Sequence, residues 1–186
     1  MSTIHNIHGD MTAGTSALAA TDEVAIYEAS SGLHKKLTGA LVTAGALAPV
    51  ATTAGAVTLA VTLAAHANRT ILLSNSTPIA ITMPAATGSG VKYTFVFDVA
   101  ATATASTISR ATSGEKFHGV AMILATATFM SGFLATSTDN TMTFNGTSKG
   151  GVIGDMVEFW DVKTGIFEVQ MRSGANVAPL TPFSNT

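Results

Sequence analysis

Apolar and polar positions alternate along most of this chain, which is the period of a half-buried β-strand. Residues 22–29 set Val24, Ile26 and Glu28 against Glu23, Ala25 and Tyr27. Ser30, Ser31 and Gly32 then supply a turn, and residues 33–38 return, so a small β-hairpin is predicted. From Gly55 onward the pattern is almost continuously β. Val57, Leu59, Val61 and Leu63 alternate with Thr58, Ala60 and Thr62 and predict a strand with one greasy face. Residues 69–73 predict a second strand, and Ile79 to Met83 a short third one stopped by Pro84.

Residues 83–97 carry the strongest local signal. A strand end is followed by Gly88 and Gly90, which permit positive φ, and then by Val91, Tyr93, Phe95 and Phe97 on one face. This reads as a β-hairpin whose second strand faces the core, with Tyr93 a core residue rather than a ligand platform. Short strands follow at 107–110, 117–124 and 141–144, and a final hairpin joins 150–162 to 166–171 through Thr164 and Gly165. In 125–136 the spacing of Phe129, Met130, Phe133 and Leu134 suits a helical turn as well as a strand.

Residues 1–21 show neither period and read as an extended arm; twenty extended residues reach ~65 Å, enough to cross onto a neighbouring subunit. Residues 39–47 fit a short helix or an extended linker, and 48–54, with Pro49 and Thr52-Thr53, a linker between arm and body. The expected fold is all-β: an antiparallel β-sandwich or jelly-roll-like body over 51–186, preceded by an N-terminal arm and small hairpin over 1–50. An isolated two-stranded hairpin is marginal in water, so this one is expected to dock on a partner.

Composition sharpens the picture. Of 186 residues 47 % are hydrophobic, which argues against wholesale disorder, while only 11 % are charged, less than half the usual share. Alanine and threonine make up roughly a third of the chain, so the surface must be covered by small side chains or by other protein. A net charge of -2 with scattered Lys and Arg gives no footprint for a nucleic-acid backbone, and no nucleic-acid partner is expected. The absence of cysteine removes disulfides, thiolate metal sites and Cys nucleophiles. Residues 1–10 lack the basic start and apolar run of a signal peptide. The uncharged stretch 37–65 is interrupted by Gly39, Gly45, Pro49 and Gly55, so no membrane span is expected.

Candidate chemistry is sparse. His5, His8 and Asp10 have spacing that could converge on a metal ion if the backbone turned, but read more simply as part of a solvated tail, so no metal or cofactor is assigned. His118 lies near Glu115 without a nucleophile to serve. Asp155, Glu158, Asp161 and Glu168 could be paired for glycoside hydrolysis only if two of them faced across a cleft at about 5 to 9.5 Å; solvent-facing hairpin acids are the simpler reading. Asn68, Asn75 and Asn145 begin N-x-[ST] triplets that read as chance matches in a Thr-rich chain. Phosphate-loop, nucleophile-elbow and H-E-x-x-H motifs are missing. No catalytic residue is assigned, and the chain is expected not to be an enzyme.

The segment from Thr21-Asp22-Glu23-Val24 to Lys35-Lys36-Leu37-Thr38 resembles short segments near the N-termini of tailed-bacteriophage virion proteins. From about Val57 to the C-terminus the chain is similar to a small β-domain of phage structural proteins. The similarity is carried by Asn68-Arg69-Thr70-Ile71, by Met83 to Gly90 with the aromatic strand after it, by Gly151-Val152-Ile153-Gly154-Asp155 and by Thr181-Pro182-Phe183. The resemblance is to capsid decoration (cement) proteins and head fibres, which are typically trimers seated on the shell. It implies a non-enzymatic virion protein on the capsid surface, assembled in the host cytoplasm, whose partners are the major capsid protein and copies of itself in a homotrimer. A tail fibre or spike component is the alternative it leaves open. Matching trimer symmetry to local three-fold sites of a shell would give such a protein its seat.

Overall fold

The computed structural model describes residues 23–28, 33–38, 48–53, 55–125 and 129–186, and the chain divides into two compact units, 1–46 and 47–186. In the first unit β1 (Glu23–Glu28) pairs antiparallel with β2 (Leu33–Thr38), with Glu28 opposite Leu33, as the alternation predicts. The expected arm at 1–21, with His5, His8 and Asp10, and the segment 39–47 lie outside the described residues.

The second unit is all-β apart from one helical turn. Its strands are β3 (Val50–Ala51), β4 (Thr58–Ala60), β5 (Arg69–Leu73), β6 (Ala80–Thr82), β7 (Lys92–Phe97), β8 (Ser106–Ser109), β9 (Lys116–Ala125), β10 (Met130–Leu134), β11 (Thr141–Phe144), β12 (Met156–Lys163), β13 (Ile166–Ala175) and β14 (Phe183–Ser184). They form a seven-stranded sheet in the order β10-β9-β13-β12-β7-β5-β3 and a five-stranded sheet in the order β14-β11-β8-β6-β4. Side chains of both sheets enter one core, where Phe97 of β7 meets Phe144 of β11 with ring centroids 5.1 Å apart.

The all-β body is as expected, but its sheets are mixed rather than purely antiparallel. From β3 to β8 the chain alternates strictly between the sheets, so β3, β5 and β7 stack parallel in one and β4, β6 and β8 parallel in the other. A parallel pair needs a crossover connection, and here each crossover is a strand of the facing sheet. This overturns the hairpin predicted at 83–97. β6 and β7 lie in different sheets, and the glycine segment carries the chain across the core rather than back along its own edge.

Other expectations shift for local reasons. Val57, Leu59, Val61 and Leu63 do not form one strand face: β4 is a short edge strand, Val57 is exposed, and Leu63 opens a helical turn, α1 (Leu63–His66). The Thr62 hydroxyl accepts from the Ala65 N–H, and the Thr62 N–H donates to His66 Nδ1, so donors at the start of that turn are satisfied, and the Ala67 N–H closes its end on the Leu63 carbonyl. The predicted linker contains β3, which pairs with β5. It is pinned there because the Arg69 guanidinium donates twice to the Ala48 carbonyl, at 3.0 and 2.7 Å. The ambiguous segment around Phe133 is strand β10.

β7 places Tyr93, Phe95 and Phe97 in the core as its alternation predicts. Phe95, Phe117, Phe159 and Phe167 meet edge to face, with Phe117 and Phe159 centroids 5.1 Å apart. The predicted C-terminal hairpin is β12–β13. Parallel pairing of β9 with β13 over ten residue pairs depends on Gly119, at φ +129°, where a Cβ would lie 1.9 Å from the Val169 carbonyl oxygen.

Candidate functional site

The four acids weighed for paired chemistry are divided between two faces of β12 and β13. Asp155, immediately before β12, and Asp161, near the end of its inner face, are buried, which corrects the expectation that they face solvent. Asp161 organises the crossover after β6: it accepts from the N–H groups of Thr87, Gly88 and Ser89 and from the hydroxyls of Thr87 and Ser89, at 2.6 to 3.1 Å. Asp155 accepts from the N–H groups of Gly151, Val152 and Gly174 and from the Ser173 hydroxyl. These carboxylates are anchors for loops.

Their acidities diverge. Burial by itself would raise the Asp161 carboxyl, but the Ser89 hydroxyl and the three N–H donors outweigh it and hold the group below the usual carboxylate value. For Asp155 burial dominates, its donors offset only part of that effect, and the carboxyl is raised. Tyr93 is raised as well, by burial first and then by the negative charge of Asp161.

Glu158 and Glu168 occupy the outer face. Glu158 pairs with Lys92, whose ammonium also lies 5.0 Å from the centre of the Trp160 ring. Register sets Glu158 opposite Gln170 and Trp160 opposite Glu168, so the two acids are diagonal neighbours on an open sheet surface. Glu168 instead shares a shallow depression of about 500 Å3 with His118, Thr136, Ser137 and Leu134. His118 and Glu115 are not partners. Glu115 is buried and accepts from the Ala86 and Thr112 N–H groups, whereas His118 stands beside Glu168 across the β9–β13 pair.

The asparagines of the N-x-[ST] triplets hold turns and loops. Asn68 adopts φ 55° and accepts from the Lys92 N–H. Asn75 is buried between Thr52 and the Ala56 carbonyl, and Asn145 Oδ1 accepts from three successive N–H groups, those of Thr147, Ser148 and Lys149. Gly151 and Val152 donate to Asp155, and Phe183 lies on β14 against β11. The motifs that carry the resemblance are thus structural ones.

What sequence reading missed is the outer surface of β9 and β10. Ala121 and Ile123 point into the core, so Val120, Met122 and Leu124 point out. Leu124 stands opposite Met130, and Val120 opposite Leu134. Met122, Leu124, Met130 and Leu134 are 39, 58, 59 and 78 % exposed and form one apolar patch on the face away from the core. The sequence offered only an unbroken apolar run, Val120 to Leu124, and telling its inward from its outward residues required knowing which face another sheet covers.

Among the described residues no helix is long and apolar enough to cross a membrane, and no cluster of three or more His, Asp or Glu could hold a metal ion. No protein-family model matches the chain, and no curated protein matches it significantly.

Proposed function

We propose that this chain is a non-enzymatic structural protein of a tailed-phage virion, a trimeric capsid decoration protein that binds the major capsid protein and stabilises the head shell. The observation that carries the reading is the bare apolar surface of β9 and β10 on a chain with few charges, which suits burial against other protein without stranding ions. The sequence resemblance supplies the virion context. The buried acids support it in a further way, since their acceptor capacity is taken up by loop donors. Residues 1 to about 50 contact the shell or interlock protomers.

The depression lined by His118, Thr136, Ser137 and Glu168 favours a second reading, a tail fibre or spike component that binds a host glycan through polar side chains. One measurement separates the two: the molar ratio of this chain to major capsid protein in purified particles. A ratio near one to one or one to three is expected for a decoration protein. A ratio below about one to thirty, the copy number of a tail part, overturns it in favour of the adhesin, and absence from particles overturns both.

A further inference from the structure

We infer that the outer surface of β9, β10 and β13 is the contact through which copies of this chain associate, an inference that rests on the reading of the chain as a homotrimer and names the surface that makes it. Met122, Leu124, Met130 and Leu134 together leave on the order of 400 Å2 of apolar surface bare, in the range where a patch marks an interaction site. A standard interface removes about 800 Å2 from each partner, as an apolar centre within a polar rim. The four side chains supply such a centre, and Gln170, Arg172 and Glu168 on the adjoining strand supply such a rim.

Two further observations select a second copy as the occupant. The rim carries both signs of charge on one strand. Among the described residues Glu168 has no hydrogen-bond or ion-pair partner, and Arg172 reaches only the Met156 thioether, at 3.8 Å. Arg172 and Glu168 lie four residues apart, roughly 13 Å along β13, so Arg172 of one copy can meet Glu168 of the next in a closed ring. The free edge is also unguarded. β10 ends its sheet, yet between His118 and Asp139 the chain has no charged residue and no proline, the usual devices that keep edges from pairing. An edge of this kind needs a cover, and a self-complementary charge pair beside it specifies the same chain.

The test uses the full chain and reads mass by sedimentation equilibrium and light scattering, with circular dichroism as the check on folding. Wild type is expected as a trimer at micromolar concentration. Leu134→Lys and Met130→Lys are expected to be folded monomers or to weaken association by at least a hundredfold. Arg172→Glu and Glu168→Arg are each expected to weaken it about tenfold, and the double exchange to restore it. A monomeric wild type overturns both the surface and the trimer. A trimer that survives all four single substitutions overturns the surface and leaves the trimer standing. Should a lysine variant fail to fold, the charge exchange decides: absence of rescue overturns the inference. The virion role is read separately from the particle ratio, so its failure is distinguishable from failure of this contact.

Discussion

Asp155 directly precedes β12 and Asp161 lies six residues on, within the strand, and each ties a loop to the sheet through its carboxylate. Their acidities nevertheless move in opposite directions, because Asp161 collects enough donors to overcome burial and Asp155 does not. Asp161→Ala removes the shared acceptor of five donor groups on Thr87, Gly88 and Ser89 and so releases the crossover segment from the sheet. It is expected to lower unfolding free energy by about 3 kcal/mol, read as a shifted denaturant midpoint at unchanged slope. Asp161→Asn is expected to cost less, since one amide oxygen still accepts.

The two acids also predict opposite pH dependence. The Asp161 carboxyl is lowered on folding, so its contribution is present above the unfolded carboxylate range and is lost as pH falls through the folded value. The Asp155 carboxyl is raised, so folding favours its protonated form, and that contribution is lost as pH rises from the unfolded through the folded value. Comparing stability at pH 3 and pH 7 is therefore expected to show a smaller acid loss in Asp161→Asn than in wild type. In Asp155→Asn the acid loss is expected to be larger. Identical pH profiles for the two variants would contradict this assignment.

Gly119 gives a sharper test of the parallel β9–β13 pair. Gly119→Ala places a methyl against the Val169 carbonyl at a φ that side chains rarely adopt, and is expected to cost more than about 3 kcal/mol or to abolish soluble expression. Gly154→Ala meets no neighbouring atom and carries only the conformational penalty, about 1 kcal/mol. Equal costs in chemical denaturation would count against the close strand approach.

The body is expected to fold without residues 1–46. Because Arg69 holds the Ala48 carbonyl and β3 begins at Val50, cutting at residue 47 spares the contacts that close the sheet edge. The shortened chain is expected to melt within about 3 °C of the full one, a stability difference below about 1 kcal/mol, and to lose binding to particles. Retained particle binding would remove the shell-contact role from the arm.

The core aromatics set the scale for these effects. Phe159 is fully buried among Phe95, Phe117 and Phe167, and Phe159→Ala is expected to cost about 3 to 5 kcal/mol. A loss below about 1 kcal/mol by calorimetry would mean that this aromatic cluster on the inner face of the seven-stranded sheet is not closely packed.

The sequence by itself determined several of the strands and their faces, though not the edge strands β3 and β4. Period-two alternation is a local property, and it placed β1 and β2, the inward set Tyr93, Phe95 and Phe97, and the β12–β13 hairpin. It could not decide which strand lies beside which. Gly88 and Gly90 permit a sharp turn whether the chain folds back or crosses over, and the crossing is fixed by Asp161, more than seventy residues away, through donors on Thr87, Gly88 and Ser89. For the same reason the acids could not be sorted into loop anchors and surface groups until the two sheets were in place. Met122 and Leu124 sit in the same apolar run as the buried Ala121 and Ile123, and only the position of the five-stranded sheet on the other side leaves them, with Met130 and Leu134, bare. Local pattern fixes which side chains share a face; tertiary structure decides which faces are covered, because burial is a relation between segments distant in sequence.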